Sequence, residues 1–230
     1  MSKVACLFPI AIRELSPQVL GAFTREYGHE TSVEFVLNPE VPDAIKRDPS
    51  YDIAITNPEY GALLVEDGLV APQDHRAFLR APLAFACLGQ NSADIPDDAD
   101  AAREFLQTAT GTLGYTGAGT SGARLAALLT KLGLAERWAG RLVALPGGGP
   151  ASALRAGDVD FAALPLTNFA LETDFAVQAI CPDHLDVHID LSLVITRTAG
   201  DAARDLAAFL TDPAQDAQMA RAGGLRYVLE

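Results

Sequence analysis

The chain has 230 residues, 49% hydrophobic and 20% charged, with 17 Lys and Arg against 30 Asp and Glu. That length can bury a substantial core, as one large domain or two smaller lobes, and the composition is that of an ordinary folded domain. A formal net charge of −13, with no stripe of basic residues, excludes nucleic acid and an anionic membrane surface as partners.

Met1-Ser-Lys leads directly into Val4–Phe8, a first core strand. No signal peptide or membrane-length apolar run is read here, so a cytoplasmic location is expected. Cys6, Cys87 and Cys181 are far apart and lie in apolar surroundings, which fits buried free thiols. Ser16-Pro17 opens a helix with Val19, Leu20, Phe23 and Tyr27 on one face and Gly28 as its stop. Ser32–Leu37 is a strand, and Asn38–Pro42 is a loop entering a short helix. Tyr51–Thr56 is a strand ending at Asn57-Pro58, which opens a helix running to Gly68. Leu83–Leu88 is a strongly apolar strand, and Ala99–Thr108 is helical.

Next comes Leu113-Gly-Tyr-Thr-Gly-Ala-Gly-Thr-Ser-Gly-Ala-Arg124, a strand running into a Gly/Ser/Thr loop. The helix it opens carries Leu125, Leu128, Leu129 and Leu132 on one face and stops at Gly133. Thr120 or Ser121 can serve as its N-cap. A short helix follows at Trp138, then a strand at Arg141–Leu145, a loop at Pro146–Pro150 and a helix with Leu154. Val159–Leu164 is a strand, and Thr167-Asn168 begins a turn or helix. Phe175–Ile180 and Val187–Thr196 are strands, and helices at Asp201–Leu210 and Pro213–Gly223 close the chain. The alternation predicts an α/β protein with mostly parallel sheets.

Chemistry concentrates at the Gly/Ser/Thr loop. Backbone N–H groups at a helix start, beside the Thr120 and Ser121 hydroxyls, form a natural anion site. Gly117–Gly122 also fits G-x-G-x-x-G, but the next strand ends in Ala144-Leu145-Pro146 rather than in an acid. The anion reading is therefore preferred to a dinucleotide, and no cofactor is expected. In an acidic chain each arginine near such a loop matters, and Arg13 and Arg80 offer forks suited to carboxylate. His184 and His188 have zinc-like spacing, but Pro182 and the alternating Val187, Ile189 and Leu191 place them on a loop and a strand, so no metal site is expected. By strand alternation His188, Asp190 and Ser192 share one face. That makes His188 the best available general base, with Asp190 to orient its ring.

The order of elements resembles the type II periplasmic-binding-protein fold, in its molybdate-binding-protein-like branch. Leu7–Phe23 resembles that family's first ligand loop, and Tyr51-Asp-Ile-Ala-Ile-Thr-Asn57 with Glu66-Asp-Gly68 resembles its next strand and helix end. Arg80–Phe85 resembles the crossover to a second lobe, and Gly119-Thr-Ser-Gly122 through Gly133 the central ligand helix. Leu154–Asp160 and Thr211-Asp-Pro-Ala214 match two later segments. The resemblance implies an α/β two-lobe fold with a ligand cleft, lobe one being residues 1–79 plus 193–230 and lobe two 80–192. It implies ligand contacts at Ile12, Arg13, Asn38, Asn57, Thr120, Ser121 and Thr167, and it brings in the segment His188–Ser192. Phe8-Pro-Ile-Ala-Ile-Arg13 is bulkier than the small-residue loop usual in the family's oxyanion binders, which suggests a carboxylate-bearing ligand. Some members of this branch resemble aconitate isomerase, which moves a proton within a tricarboxylate. Two functions stay open: a cytoplasmic enzyme that proton-shifts a di- or tricarboxylate, and a non-catalytic binding protein for an oxyanion or organic anion.

Overall fold

Apolar runs and amphipathic stretches resolve into nine strands and nine helices among the residues described, 2–90 and 99–229 of a computed structural model. In chain order they begin with β1 (Lys3–Pro9), α1 (Ser16–Tyr27), β2 (Glu30–Val36), α2 (Val41–Arg47), β3 (Ile53–Thr56), α3 (Pro58–Glu66) and β4 (Val70–Leu88). Then come α4 (Ala99–Thr108), β5 (Leu113–Thr116), α5 (Thr120–Lys131), α6 (Ala135–Trp138), β6 (Leu142–Leu145), α7 (Gly149–Ala156) and β7 (Phe161–Pro165). The chain closes with β8 (Phe175–Ile180), β9 (His188–Thr196), α8 (Asp201–Thr211) and α9 (Asp216–Arg221). They form two compact units, Met1–Arg80 with Asp190–Glu230, and Ala81–Ile189.

In the first unit the strands run β2-β1-β3-β9. β1 is parallel to β2 and to β3, while β9 is antiparallel to β3 with Thr56 opposite Ser192. Val4, Cys6, Leu7 and Phe8 of β1 are all buried, as a central parallel strand covered on both faces requires. Leu7, Ile45, Ala54, Leu64 and Val194 form one core cluster. α1 ends at Gly28, whose φ of 72° closes the helix in the left-handed conformation.

In the second unit β4 is antiparallel to β7 and β8, and β5 is parallel to β6 and β7. Leu125, Leu128 and Leu129 of α5 pack with Leu83, Phe85, Leu106, Leu113 and Trp138. Leu154, Val159, Leu164, Phe169 and Phe175 make a second cluster.

Four expectations need correction. β4 begins at Val70, not Leu83, because polar residues such as Asp74 are drawn in by partners; Asp74 is 5% exposed and 3.2 Å from Arg204. The sheets are mixed rather than mostly parallel, since β4 and β9 run against their neighbours. The N-cap of α5 is Gly119, so Thr120 and Ser121 are the first two helical residues. The last helix is broken: the Asp212 carboxylate accepts the Ala214 N–H at 2.8 Å, producing a 3-10 turn at Pro213–Gln215 before α9.

Gly122 is where α5 presses on β5. A Cβ there would overlap the Thr116 carbonyl and lie 3.0 Å from Tyr115 Cδ2. Gly122→Ala is expected to cost about 1–3 kcal/mol by overpacking, lowering the melting temperature by roughly 2–4 °C per kcal/mol for a chain of this size. Calorimetry of the variant reads this directly, and an unchanged melting temperature would show that the contact yields.

The thiols differ in environment. Burial pushes Cys181 up to about 12. Cys6 is pushed further, by burial and then by the Asp52 carboxylate. Cys87 is only half-buried, and its smaller rise is also due to burial. Because the thiolate is the reactive form, iodoacetamide should label Cys87 well before Cys6 and Cys181 in the folded protein, with all three reacting once it is unfolded. Peptide mass mapping checks the order.

Candidate functional site

Parallel α/β sheets present their loops at the carboxyl ends of the strands. In the first unit these are the segments after β1, β2 and β3. After β1 the chain makes a 3-10 turn at Ile10–Ile12. Ile12 is 2% exposed, so its side chain belongs to the core and only its main chain can meet a ligand. The Ser16 hydroxyl donates to the Ile12 carbonyl at 2.7 Å. Arg13 follows, exposed, with its guanidinium 5.2 Å from the centre of the Phe35 ring and no ion pair among the described residues.

After β2, Asn38 is 7% exposed, and its main-chain carbonyl accepts the Thr56 hydroxyl at 3.1 Å. Its side-chain Oδ1 is buried with no hydrogen-bond partner among the described residues. After β3, Asn57 caps α3 by position, with extended backbone and no side-chain cap bond. Its Nδ2 instead donates to the Asp190 carbonyl at 2.7 Å.

Arg80 and Asp190 form a fork-to-carboxylate pair, Nε to Oδ1 at 2.7 Å and Nη2 to Oδ2 at 2.8 Å. Both expected roles change as a result. The Arg80 fork faces a protein carboxylate rather than a ligand's, and the Asp190 carboxylate is engaged by Arg80. The Arg80 guanidinium lies 5.4 Å from the Tyr227 ring centre, and the Tyr227 hydroxyl donates to the Leu191 carbonyl at 3.1 Å. Burial, and then the Asp190 carboxylate, hold the Tyr227 phenol above its ordinary range, opposed by Arg80.

A cluster that sequence reasoning missed lies behind Thr56. Ser192 Oγ donates to the Thr56 carbonyl at 3.3 Å and sits 2.9 Å from His75 Nε2. The donor in the Ser192–His75 contact is set by the imidazole tautomer. Burial lowers His75 below its ordinary value. A Cβ at Gly61 would come within 2.9 Å of Ser192 Oγ, so the glycine lets α3 rest on this pair. Ser192 was legible from the alternation of β9. His75 was not, because residues 70–82 carried no strand signal.

In the second unit, β5 leads to Thr120 and Ser121 at the start of α5, and Ser121 is 8% exposed. The first N–H groups of a helix have no partner within it, so this end offers main-chain donors beside two hydroxyls. β7 leads into a 3-10 turn at Leu166–Asn168, in which Thr167 is fully buried. His188 opens β9 with its side chain 12% exposed, 3.8 Å from the Asp186 carboxylate. The His184 and His188 pair ends as the sequence implied, on a 3-10 turn and a strand. Among the described residues no group of three or more His, Cys, Asp and Glu is placed to hold a metal ion.

Solved structures share this fold. The periplasmic molybdate-binding protein of Azotobacter vinelandii superposes with a TM-score of 0.80 at 16% identity, covering 99% of this chain and 100% of that one. The sulfate-binding protein SubI of Mycobacterium tuberculosis H37Rv gives 0.74 at 13%, covering 97% and 86%. The tungstate-binding protein TupA of Desulfovibrio alaskensis G20 gives 0.66 at 11%, covering 100% of both. Among curated proteins, none matches the chain. The sequence profile of a family described as bacterial extracellular solute-binding protein matches residues 9–224. That match corrects the cytoplasmic expectation, because the family is described as extracellular. With nearly its whole length matched, the chain belongs to the bacterial extracellular solute-binding protein family.

Proposed function

We propose that this protein binds a small oxyanion or organic anion without transforming it, as a solute-binding protein. The observation that carries the reading is the start of α5, where a helix N-terminus bearing Thr120 and Ser121 follows the carboxyl end of β5. A helix N-terminus favours negative charge, and hydroxyls add directed donors. Relatives of the same fold are named for molybdate, sulfate and tungstate, which supports an anion as the ligand class. The isomerase reading is the weaker one. It asked Arg80 to hold a carboxylate and Asp190 to orient a base, and those two side chains hold each other.

Titration calorimetry with molybdate, tungstate, sulfate, phosphate, citrate and aconitate tests the reading. At least one should bind. A hydrogen bond to a charged group is worth about 1.5–3 kcal/mol, so Ser121→Ala should weaken that anion about tenfold or more. Proton NMR in deuterated buffer should show no exchange of carbon-bound hydrogen in a bound polycarboxylate. Exchange would restore the enzyme.

The ion pair makes a separate expectation. Arg80→Ala leaves a partly buried carboxylate without its partner, at a cost between the roughly 0–1 kcal/mol of exposed pairs and the 3–5 kcal/mol of buried ones. The variant should lose several degrees of melting temperature. Arg80→Lys, which keeps the charge but not the fork, should recover only part of the loss.

A further inference from the structure

The segments after β2 and β3 are tied by a short run of hydrogen bonds that ends on an ionisable ring. The Thr56 hydroxyl donates to the Asn38 carbonyl at 3.1 Å, so the end of β3 holds the segment that follows β2. The Thr56 carbonyl lies 3.3 Å from the Ser192 hydroxyl. Ser192 Oγ is in turn 2.9 Å from His75 Nε2. Ser192 is fully buried, so bulk water does not compete for its one proton.

That proton has two acceptors in reach and serves one at a time. A neutral imidazole leaves the choice open. With Nε2 bare, the ring can take the hydroxyl proton, and the Thr56 carbonyl loses it. With hydrogen on Nε2, the ring donates and the hydroxyl proton goes to Thr56. An imidazolium carries hydrogen on both nitrogens, so only the second arrangement survives. The pair has little room to move apart, because α3 closes over it: a Cβ at Gly61 would overlap His75 Nε2 and come within 2.9 Å of Ser192 Oγ.

His75 is partly exposed, which gives protons a route to the ring. Burial holds it below its ordinary value. The ionisable groups around it are Asp74 and Arg76 on its own strand, Glu59 and Tyr60 in the first turn of α3, Asp190 on β9 and Tyr227 in the C-terminal segment. Asp74 is held by Arg204 at 3.2 Å, and Asp190 by Arg80 at 2.7 Å. None of these groups contributes to the lowering, which is due to burial.

We propose that His75 is a proton-operated positioning residue: protonating its ring commits the Ser192 hydroxyl to the Thr56 carbonyl and so tightens the hold on the segments after β2 and β3, while the neutral ring lets that hydroxyl turn away. Those segments stand at the carboxyl ends of parallel strands, where ligands of α/β sheets are met. The device goes beyond the anion-binding reading and does not depend on it.

Nuclear magnetic resonance of the isotope-labelled full chain tests it, with a titration from about pH 8 to about pH 5. The His75 ring reports the proton. The Thr56 carbonyl carbon and the Asn57 amide nitrogen, which share one peptide, report the hydrogen bond. In the wild-type protein all three should move together, with one midpoint below about 6.5, and the carbonyl should move as for a strengthening bond when the pH falls. In Ser192→Ala the ring should still titrate while the Thr56 and Asn57 signals stay flat. In His75→Gln, which keeps a polar side chain but no titrating proton, they should stay flat as well. Melting curves give a second reading. A ring whose value is lowered by folding stabilises the protein above its unfolded value, and that contribution is lost as the pH falls through the folded one. The wild-type melting temperature should therefore fall more than that of His75→Gln over the acid half of the range. A Thr56 carbonyl that ignores the ring's titration overturns the proposal. So does a response that survives Ser192→Ala, which would mean that the charge acts through space, or one that survives His75→Gln, which would mean that another group drives it. A ring that takes up no proton before the chain unfolds overturns it too. Each of these outcomes leaves the anion-binding reading to its own calorimetric test.

Discussion

The ion pair of Arg80 and Asp190 is the constraint on which the first unit's functional end depends. Arg80 is the last residue of that unit before the chain leaves it, and Asp190 is the first on its return. The pair has side chains only 28% and 21% exposed, so each charge needs the other to offset the loss of water. Other contacts build on it. Arg80 exchanges main-chain hydrogen bonds with Leu225 at 2.7 and 2.8 Å, drawing in the C-terminal segment. Tyr227 then lies against the guanidinium and ties to Leu191. The Asp190 carbonyl receives the Asn57 amide, which joins the start of α3 to the same point. A charge pair fixes geometry in a way that an apolar contact does not, because its energy falls away steeply when the fork and carboxylate lose alignment.

This arrangement explains how a chain of net charge −13 can be suited to an anion. The site does not rely on a pool of cations. Arg80 is balanced by Asp190, and Arg13 lies on Phe35 at the surface. On the proposed reading, main-chain dipoles and hydroxyls at the start of α5 take that role instead, and they add no formal charge. Such a site discriminates by geometry and by the count of donors and acceptors.

The fold was legible where burial writes a pattern. Val4–Phe8 reads as a strand because β1 is covered on both faces, and Leu125, Leu128 and Leu129 mark α5 because only that face of the helix is buried. Periodicity fails where a polar residue is buried by a distant partner. Asp74 and Arg204 meet across 130 positions, so β4 looked polar at its start. For the same reason Arg80 looked like a ligand residue: its partner lies 110 positions away, and no local spacing carries that. Ile12 stands in a loop that resembled a ligand loop, yet its side chain completes the core. Resemblance places segments, not the side of the chain that faces out. His75 needed the sheet itself, since only the approach of β4, β9 and α3 makes its neighbours.

The glycine pattern is the case where one signal had two physical sources. Gly117–Gly122 fits a dinucleotide fingerprint letter for letter, but two of its glycines have a local reason. A Cβ at Gly117 would lie 3.2 Å from the Ala144 Cβ, and Gly122 lies against the Thr116 carbonyl. Gly61 does the same for α3 over Ser192 and His75. In both units a helix is held close to strand residues by removing one side chain: α5 to β5 at Gly122, and α3 to β4 and β9 at Gly61. Close approach brings the helix N-terminus to the carboxyl end of the sheet, whatever ligand is then bound there. At Gly117 and Gly122 the fingerprint is therefore a statement about packing, and it says nothing by itself about the ligand.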